Sequence, residues 1–375
     1  MVRAADVRRA ARLTDPLPPL WDPARDEHLV CVATRPETHD VTTFVFAAAQ
    51  PRLFRFQPGQ FMTFDLAAAG VQRCYTIASP PTRPHRLEIT AKRAPGGAGS
   101  EWLHATMRPG MRLSASGPHG LFTCMPRASG RYLFLSAGSG ITPLISMART
   151  AHDLGSDADI LFLHSARSPA DLVFADELAA MARRPGFARV SIVARGAPWD
   201  GLRGRLSPAM LAAAVPDLMA RDVFCCGPAP YMAAVRAMLD EAGFDRARYH
   251  QESFAFDAQD EADAPDKPEP EPGPGPGPGP GPGPAAGQDS FTVAFAASGR
   301  SIACPSGSTI LAAARAAGLF LPSACNKGVC GTCKSRLVSG TVELRHGGGI
   351  RQREIDAGMT LLCCARPRSD LVVDR

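Results

Sequence analysis

The sequence predicts a multidomain chain: an antiparallel β-barrel, an α/β domain on a parallel sheet, and a small α+β domain of β-grasp-like form. Three observations predict it. Short alternating strands fill residues 28–124, and strand–helix alternation fills residues 125–256. Residues 257–290 then carry no folding signal, and apolar patterning resumes over residues 291–375.

Length and composition set the frame. A chain of 375 residues with 45% hydrophobic content can bury two or three cores. No apolar run approaches a membrane span, and the arginine-containing first 20 residues lack the apolar stretch of a signal peptide. Asp6 and the absence of serine argue against a transit peptide, so residues 1–27 read as a loosely attached extension ending near Asp26. The net charge of +5 is unevenly spread. Asp257 to Pro272 holds seven acidic residues and one lysine, and without them the chain carries 40 basic and 29 acidic side chains. A basic body can steer toward an acidic partner protein, or be ordinary solvated surface. No basic–aromatic stripe indicates nucleic acid.

In the first region HLVCVATR, TTFVFA, QFMTFDL, RLEITAKR and RLSASG read as strands, with a helix over 100–107 capped by Ser100. In the second, RYLFLSAG, ILFLHSA, VSIVAR and DVFCCG are strands. ITPLISMARTAHDLG and YMAAVRAMLDEAG are helices, the latter closed by Gly243. Ser168 is expected to cap a further helix, with Pro169 at its first position and Asp171 at its third. The acidic run and the six Gly-Pro pairs from Gly273 to Pro284 read as an extended tether. Its reach would be on the order of 100 Å, at ~3.1 Å per residue. Beyond it come a hairpin (FTVAFAASGRSIACP), a helix ending at Gly318, and strands in KSRLVSGTVEL and DLVVDR.

The most specific signal is ACNKGVCGTCK. Cys325, Cys330 and Cys333, with Cys363 downstream, have the C-x4-C-x2-C…C spacing of a [2Fe-2S] site. Gly328 and Gly331 suit a loop whose backbone N–H groups approach sulfur. A structural zinc site normally uses paired short knuckles, and no second C-x2-C exists here. A disulfide within the eleven cysteines lacks any sign of export, and free cysteines fit a reducing cytoplasm. Cys364 is either a neighbour of the fourth ligand or its formal rival.

Five further motifs carry chemistry. Arg73 and Tyr75 share one strand face, where a guanidinium can hold a diphosphate and a phenol ring can lie against a planar group; Thr76 adds a hydroxyl. Gly97-Ala98-Gly99-Ser100 turns into a helix N-terminus, which favours phosphate. Ser136 to Pro143, with Gly138, Gly140, Thr142 and Pro143, links a strand to a helix as a dinucleotide site does. Phe224-Cys225-Cys226-Gly227-Pro228 repeats that arrangement, and Gln251-Glu252-Ser253-Phe254 closes the domain. Lys92 and Arg167 join the cofactor-binding candidates. Arg167 follows the second strand, where a 2′-phosphate could lie, yet no basic cluster accompanies it, which favours NADH over NADPH. Each motif alone also reads as plain strand, loop or core.

In this order the five motifs resemble the ferredoxin-NADP reductase superfamily over residues 28–256. The resemblance implies that Arg73, Tyr75 and Thr76 bind flavin and that Gly97 and Ser100 hold its diphosphate. It places Gly138, Gly140, Thr142 and Pro143 at the nicotinamide nucleotide, Cys226 beside the nicotinamide, and Phe254 near the flavin. Residues 291–375 resemble plant-type ferredoxins, whose closing segment is matched by Cys363, Pro367 and Asp370. The whole order is similar to reductase components of Rieske-type oxygenase systems, demethylases among them. It implies FAD, NADH (or NADPH) and a [2Fe-2S] cluster, with Thr76, Cys226 and Glu252 as catalytic residues and a terminal oxygenase as acceptor. Reductases of hybrid-cluster proteins share the architecture. A cluster-based redox-sensing module is the alternative from another class.

Overall fold

A computed structural model of the chain describes residues 17–22, 28–69, 71–124, 130–196, 198–254, 290–319, 321, 328, 333–346, 349–350 and 352–375. The expected tether, up to residue 289, lies outside them. The first unit runs β1 (Leu29–Pro36), β2 (Val41–Ala48), β3 (Phe61–Leu66), β4 (Val71–Thr76), β5 (Leu87–Lys92), α1 (Ala98–Thr106) and β6 (Arg112–His119). All its pairings are antiparallel, in the order β4-β3-β6-β1-β2-β5. An Ile77–Ile89 bridge and a bond from the Ala78 N–H to the Glu88 carbonyl join the outer strands, closing the sheet into a barrel. Its interior is filled by Phe44, Phe46, Phe64, Leu29 and Ile77.

Two expectations change here. Leu17–Asp22 is not loosely attached: Trp21 is buried against Phe54, and its backbone N–H donates to the Leu53 carbonyl. Ser100 is not the cap of α1. The helix starts at Ala98 behind Gly97, and the Ser100 hydroxyl donates to the Gly97 carbonyl while accepting from the Ala94 N–H. The serine thus pins the preceding turn, its hydroxyl engaged by local turn backbone rather than by a helix N–H.

The second unit contains β7 (Arg131–Ala137), α2 (Ile141–Asp153), β8 (Asp159–Ala166), α3 (Ala175–Met181), β9 (Phe187–Val193), β10 (Leu202–Arg203), α4 (Pro208–Ala214), β11 (Asp222–Cys226), α5 (Ala229–Glu241) and β12 (Tyr249–Glu252). The six strands are parallel, in the order β10-β9-β8-β7-β11-β12. The chain builds outward from β7 through β8, β9 and β10, then crosses to β11. The order therefore reverses between β7 and β11, and ligands of such sheets bind outside the strand ends at that point. Alternate residues face two cores, Phe134, Phe162 and Phe224 on one side and Leu135, Leu163 and Val223 on the other. Gly243 closes α5 at φ +69°. The helix expected from Ser168 is only a 3-10 turn over Pro169–Asp171. The Ser168 hydroxyl donates to the Asp171 carboxylate instead of accepting from the backbone, and α3 starts later, behind Phe174 at φ +57°.

The third unit is β13 (Ser290–Phe295), β14 (Arg300–Pro305), α6 (Ile310–Ala316), β15 (Lys334–Ser339), β16 (Val342–Leu344), α7 (Gln352–Asp356), β17 (Met359–Leu361), β18 (Ala365–Pro367) and β19 (Leu371–Asp374). A mixed sheet runs β14-β13-β19-β15-β17, beside a β16-β18 ribbon. Thr309 caps α6 by accepting from the Ala312 N–H. Asp370, singled out in the sequence, accepts from the Thr292 N–H at 2.7 Å and ties the closing segment to β13.

Candidate functional site

The barrel brings two of the motifs together. Arg73 and Tyr75 project from one face of β4, and Cys74 between them is buried against the Thr63 hydroxyl. A Cβ on Gly99 would lie 2.7 Å from Arg73 Cγ and 3.1 Å from Leu66 Cδ1. Only a glycine lets the arginine stem cross the first turn of α1, so a guanidinium and a helix N-terminus converge from motifs 26 residues apart. That pairing suits a diphosphate. Thr76 is buried at the end of β4, opposite Phe61.

The second centre sits where the sheet order reverses. Ser136 and Cys226 are register partners, and so are Cys226 and Glu252; all three stand at strand ends. Gly138 takes φ +53° with open space where a side chain would be. Gly140 packs so closely that a Cβ would meet the Cys226 carbonyl oxygen at 2.4 Å. A second glycine contact follows, since a Cβ on Gly227 would be 3.1 Å from the Ala137 Cβ. These are the bare cradle and the close backbone approach that a dinucleotide needs. Thr142 donates to the Ser139 carbonyl, and Pro143 occupies the first turn of α2, where its missing N–H costs nothing. Phe254 is half-buried just beyond β12.

Cys225 points the other way, into the core behind β11, and burial pushes its thiol up to about 12, a shift that Tyr249 only partly offsets. It is an inert packing residue. None of the motifs assigns a role to His164, which is fully enclosed beside the Ser136 hydroxyl at 2.8 Å; burial lowers its pKa to about 4, so it is neutral. Its pattern in the sequence, a histidine inside an apolar strand, was the available signal.

Lys92 and Arg167 lie at the rim. Lys92 pairs with Asp40 at 2.8 Å, and Arg167 with Asp40 at 3.5 Å and Asp171 at 3.2 Å. His39 stands beside the same carboxylate, whose charge these cations already balance.

In the third unit Cys333 and Cys363 are both buried, and the Cys363 N–H donates to Cys333 Sγ at 3.4 Å. Two thiols 30 residues apart are thus brought together, with a backbone donor that favours thiolate. Cys325 and Cys330 lie outside the described residues. Gly328, at φ +68°, leaves no room for a Cβ against Cys364 Sγ, 2.7 Å away, and its carbonyl accepts from the Gly349 N–H. The Cys364 thiol donates to the Leu361 carbonyl, and the described cysteines form no disulfide. Buried soft sulfur donors of this kind fit iron.

Comparison with known proteins follows the same division. An oxidoreductase FAD-binding domain matches residues 29–124, an oxidoreductase NAD-binding domain residues 134–237, and a 2Fe-2S iron-sulfur cluster binding domain residues 294–368. The glycine betaine monooxygenase reductase subunit of Pseudomonas aeruginosa (strain UCBPP-PA14) is 42% identical over 369 residues, covering 94% of this chain and 96% of that one. The chain belongs to this reductase family. The stachydrine N-demethylase reductase subunit of Rhizobium meliloti (strain 1021) is 40% identical, with 92% and 95% covered. Phthalate dioxygenase reductase has the same fold, with a TM-score of 0.58 at 24% identity over 95% of this chain and all of that one. The reductase is therefore an oxidoreductase with FAD, NAD and [2Fe-2S] domains, and the binding-module alternative falls away. Among the described residues no helix is long and apolar enough to cross a membrane.

Proposed function

We propose that this reductase takes electrons from NADH and delivers them to a Rieske-type oxygenase component in a demethylating system, with glycine betaine or a related methylated ammonium compound as the oxygenase substrate. The similarity to the glycine betaine and stachydrine reductase subunits supports this choice. Its setting is the cytoplasm, where cysteines persist without disulfides, as the described ones do here.

The observation that carries the reading is the meeting of Ser136, Cys226 and Glu252 at the reversal point of the parallel sheet. Arg73 and the first turn of α1, through Gly97, Gly99 and Ser100, would hold the FAD diphosphate. Tyr75 would flank the flavin ring, and the Thr76 hydroxyl would hydrogen-bond its reactive edge. Gly138, Gly140, Thr142, Pro143 and Gly227 would seat the nicotinamide nucleotide, with Cys226 and Glu252 flanking the reacting ring and Phe254 covering the flavin. Lys92 and Arg167 are assigned to charge balance at the rim. Cys325, Cys330, Cys333 and Cys363 would hold the [2Fe-2S] cluster. Bound flavin converts a two-electron donor into single-electron steps that a cluster can accept, and the protein's part is placement and exclusion of water.

Anaerobic mixing with NADH tests the assignment. Cys226→Ala is expected to slow flavin bleaching by NADH with little change in the flavin-to-cluster step itself. Cys330→Ser is expected to lose the cluster absorbance while keeping flavin. Normal bleaching in Cys226→Ala would reduce that residue to packing, and retention of the cluster in Cys330→Ser would remove it from the ligand set. Methyl-group release by the matching oxygenase, driven by the reductase and NADH, tests the partner.

A further inference from the structure

The flavin and nicotinamide residues sit on different domains, yet hydride transfer needs one fixed geometry between them. One stripe of α2 supplies it. The helix starts directly after the Gly138–Gly140 loop, and Ser146, Arg149 and Asp153 follow one another at spacings of three and four, on one face. Ser146 Oγ donates to the Ser79 carbonyl at 2.8 Å, and Arg149 Nη1 donates to the Ala78 carbonyl at 2.8 Å. Asp153 accepts from Thr82 at 2.6 Å and from Arg83 at 2.9 and 2.7 Å. All four barrel partners belong to the short segment that leaves Thr76.

Arg149 is the centre of this contact. It is 3% exposed, donates to both carboxylate oxygens of Glu177 at 2.7 Å and to Glu88 at 3.3 Å, and lies 4.8 Å over the Phe174 ring. Phe174 holds φ +57°, the one described non-glycine residue in the left-handed region, and Glu177 is three residues on. Burial opposes the arginine's charge, but the Glu177 bonds outweigh it and hold its pKa above the ordinary value. An apolar pair of the same volume in place of both Arg149 and Glu177 would fill the space about as stably as the buried ion pair. What it could not do is grip a backbone carbonyl two residues from Thr76.

We propose that Arg149 is a positioning residue for hydride transfer, fixing the strand end at Thr76 against the helix that carries the nicotinamide loop. This rests on the reductase function proposed above. The test uses the full-length holoprotein with Arg149→Met, Arg149→Lys and Glu177→Gln. Flavin content, the limiting rate of flavin bleaching at saturating NADH, NADH affinity, and hydrogen–deuterium exchange over residues 77–92 are measured for each. Arg149→Met is expected to keep flavin and NADH affinity but lower the limiting rate roughly 10- to 100-fold, the size of effect that a displacement of about 1 Å produces. Exchange over residues 77–92 should rise in parallel, and Arg149→Lys should fall between. A Met variant with wild-type limiting rate and only a lower melting temperature overturns the proposal. If Arg149→Met does not fold, Glu177→Gln carries the test: an unchanged limiting rate there overturns it equally. Failure of the wild type to be bleached by NADH would refute the reductase reading instead, while the exchange data would still report on the joint.

Discussion

Two sets of charges cross from the barrel to the nucleotide domain, and they are built differently. At the α2 joint Arg149 is buried, every nitrogen of its guanidinium has a partner, and two of those partners are a backbone carbonyl and a bidentate carboxylate. At the rim, Lys92 and Arg167 share Asp40, and Arg167 is 58% exposed. Both join the same two bodies. The buried joint is specific because its charges are costly to leave unpaired. The rim is adjustable because water can replace any of its members. The difference separates an element that defines distance from one that can yield to a charged ligand.

The largest expected effect breaks the buried joint. Arg149→Met should cost about 3–5 kcal/mol by leaving Glu177 without its partner, and Arg149→Met with Glu177→Gln should recover part of that loss in denaturant melts. Acid should act at the same place. Burial would raise the Glu177 pKa, but the Arg149 bonds outweigh it and hold it below the ordinary value of 4.5. Its contribution is therefore complete above that value and is lost as pH falls through the lower folded value. Melting temperature should fall more steeply in the wild type than in Glu177→Gln between about pH 5 and 3. A parallel fall in both would place the acid-sensitive group elsewhere.

Smaller effects sharpen the contrast. Asp153→Asn loosens the outer end of the same stripe, where Arg83 is 58% exposed, and should cost roughly 0.2–1 kcal/mol in the same melts. Lys92→Ala should be weaker still, within about 0.5 kcal/mol, and should vanish in high salt, since the Debye length shrinks from about 10 to about 3 Å between 0.1 and 1 M. A salt-resistant loss above 1 kcal/mol at Lys92 would make the rim as structural as the α2 joint.

Local pattern made much of this architecture legible. Alternation exposed the barrel strands, and apolar runs between helices exposed the parallel sheet. The strand-end motifs were legible because glycines at 138, 140 and 227 and paired cysteines are unusual in plain connections. Ser100 and Ser168 misled for one reason: a serine near a helix start can bond locally to a carbonyl or carboxylate as readily as to an N–H. Trp21 looked like part of a loosely attached extension because its partner, Phe54, is more than 30 residues away. Arg149 was invisible for the same reason, since its acceptors lie 28 to 71 residues off. Its one trace was an arginine within the run of ten residues, Ile141 to Thr150, that the helix buries.

The position of β19 has a consequence for how the cluster domain is made. This strand lies inside the sheet, between β13 and β15, and it pairs with a β13 synthesised 78 residues earlier. The hairpin β13–β14 can form as it emerges from the ribosome, but its inner neighbour does not exist until nearly the whole domain has been translated. Cys333 and Cys363 are drawn together by the same sheet, so ligand assembly is a late event. Long-range pairing of this kind is slow. Iron and sulfide therefore meet a domain whose sheet closes only once β19 has been made, after the flavin and nucleotide domains have left the ribosome.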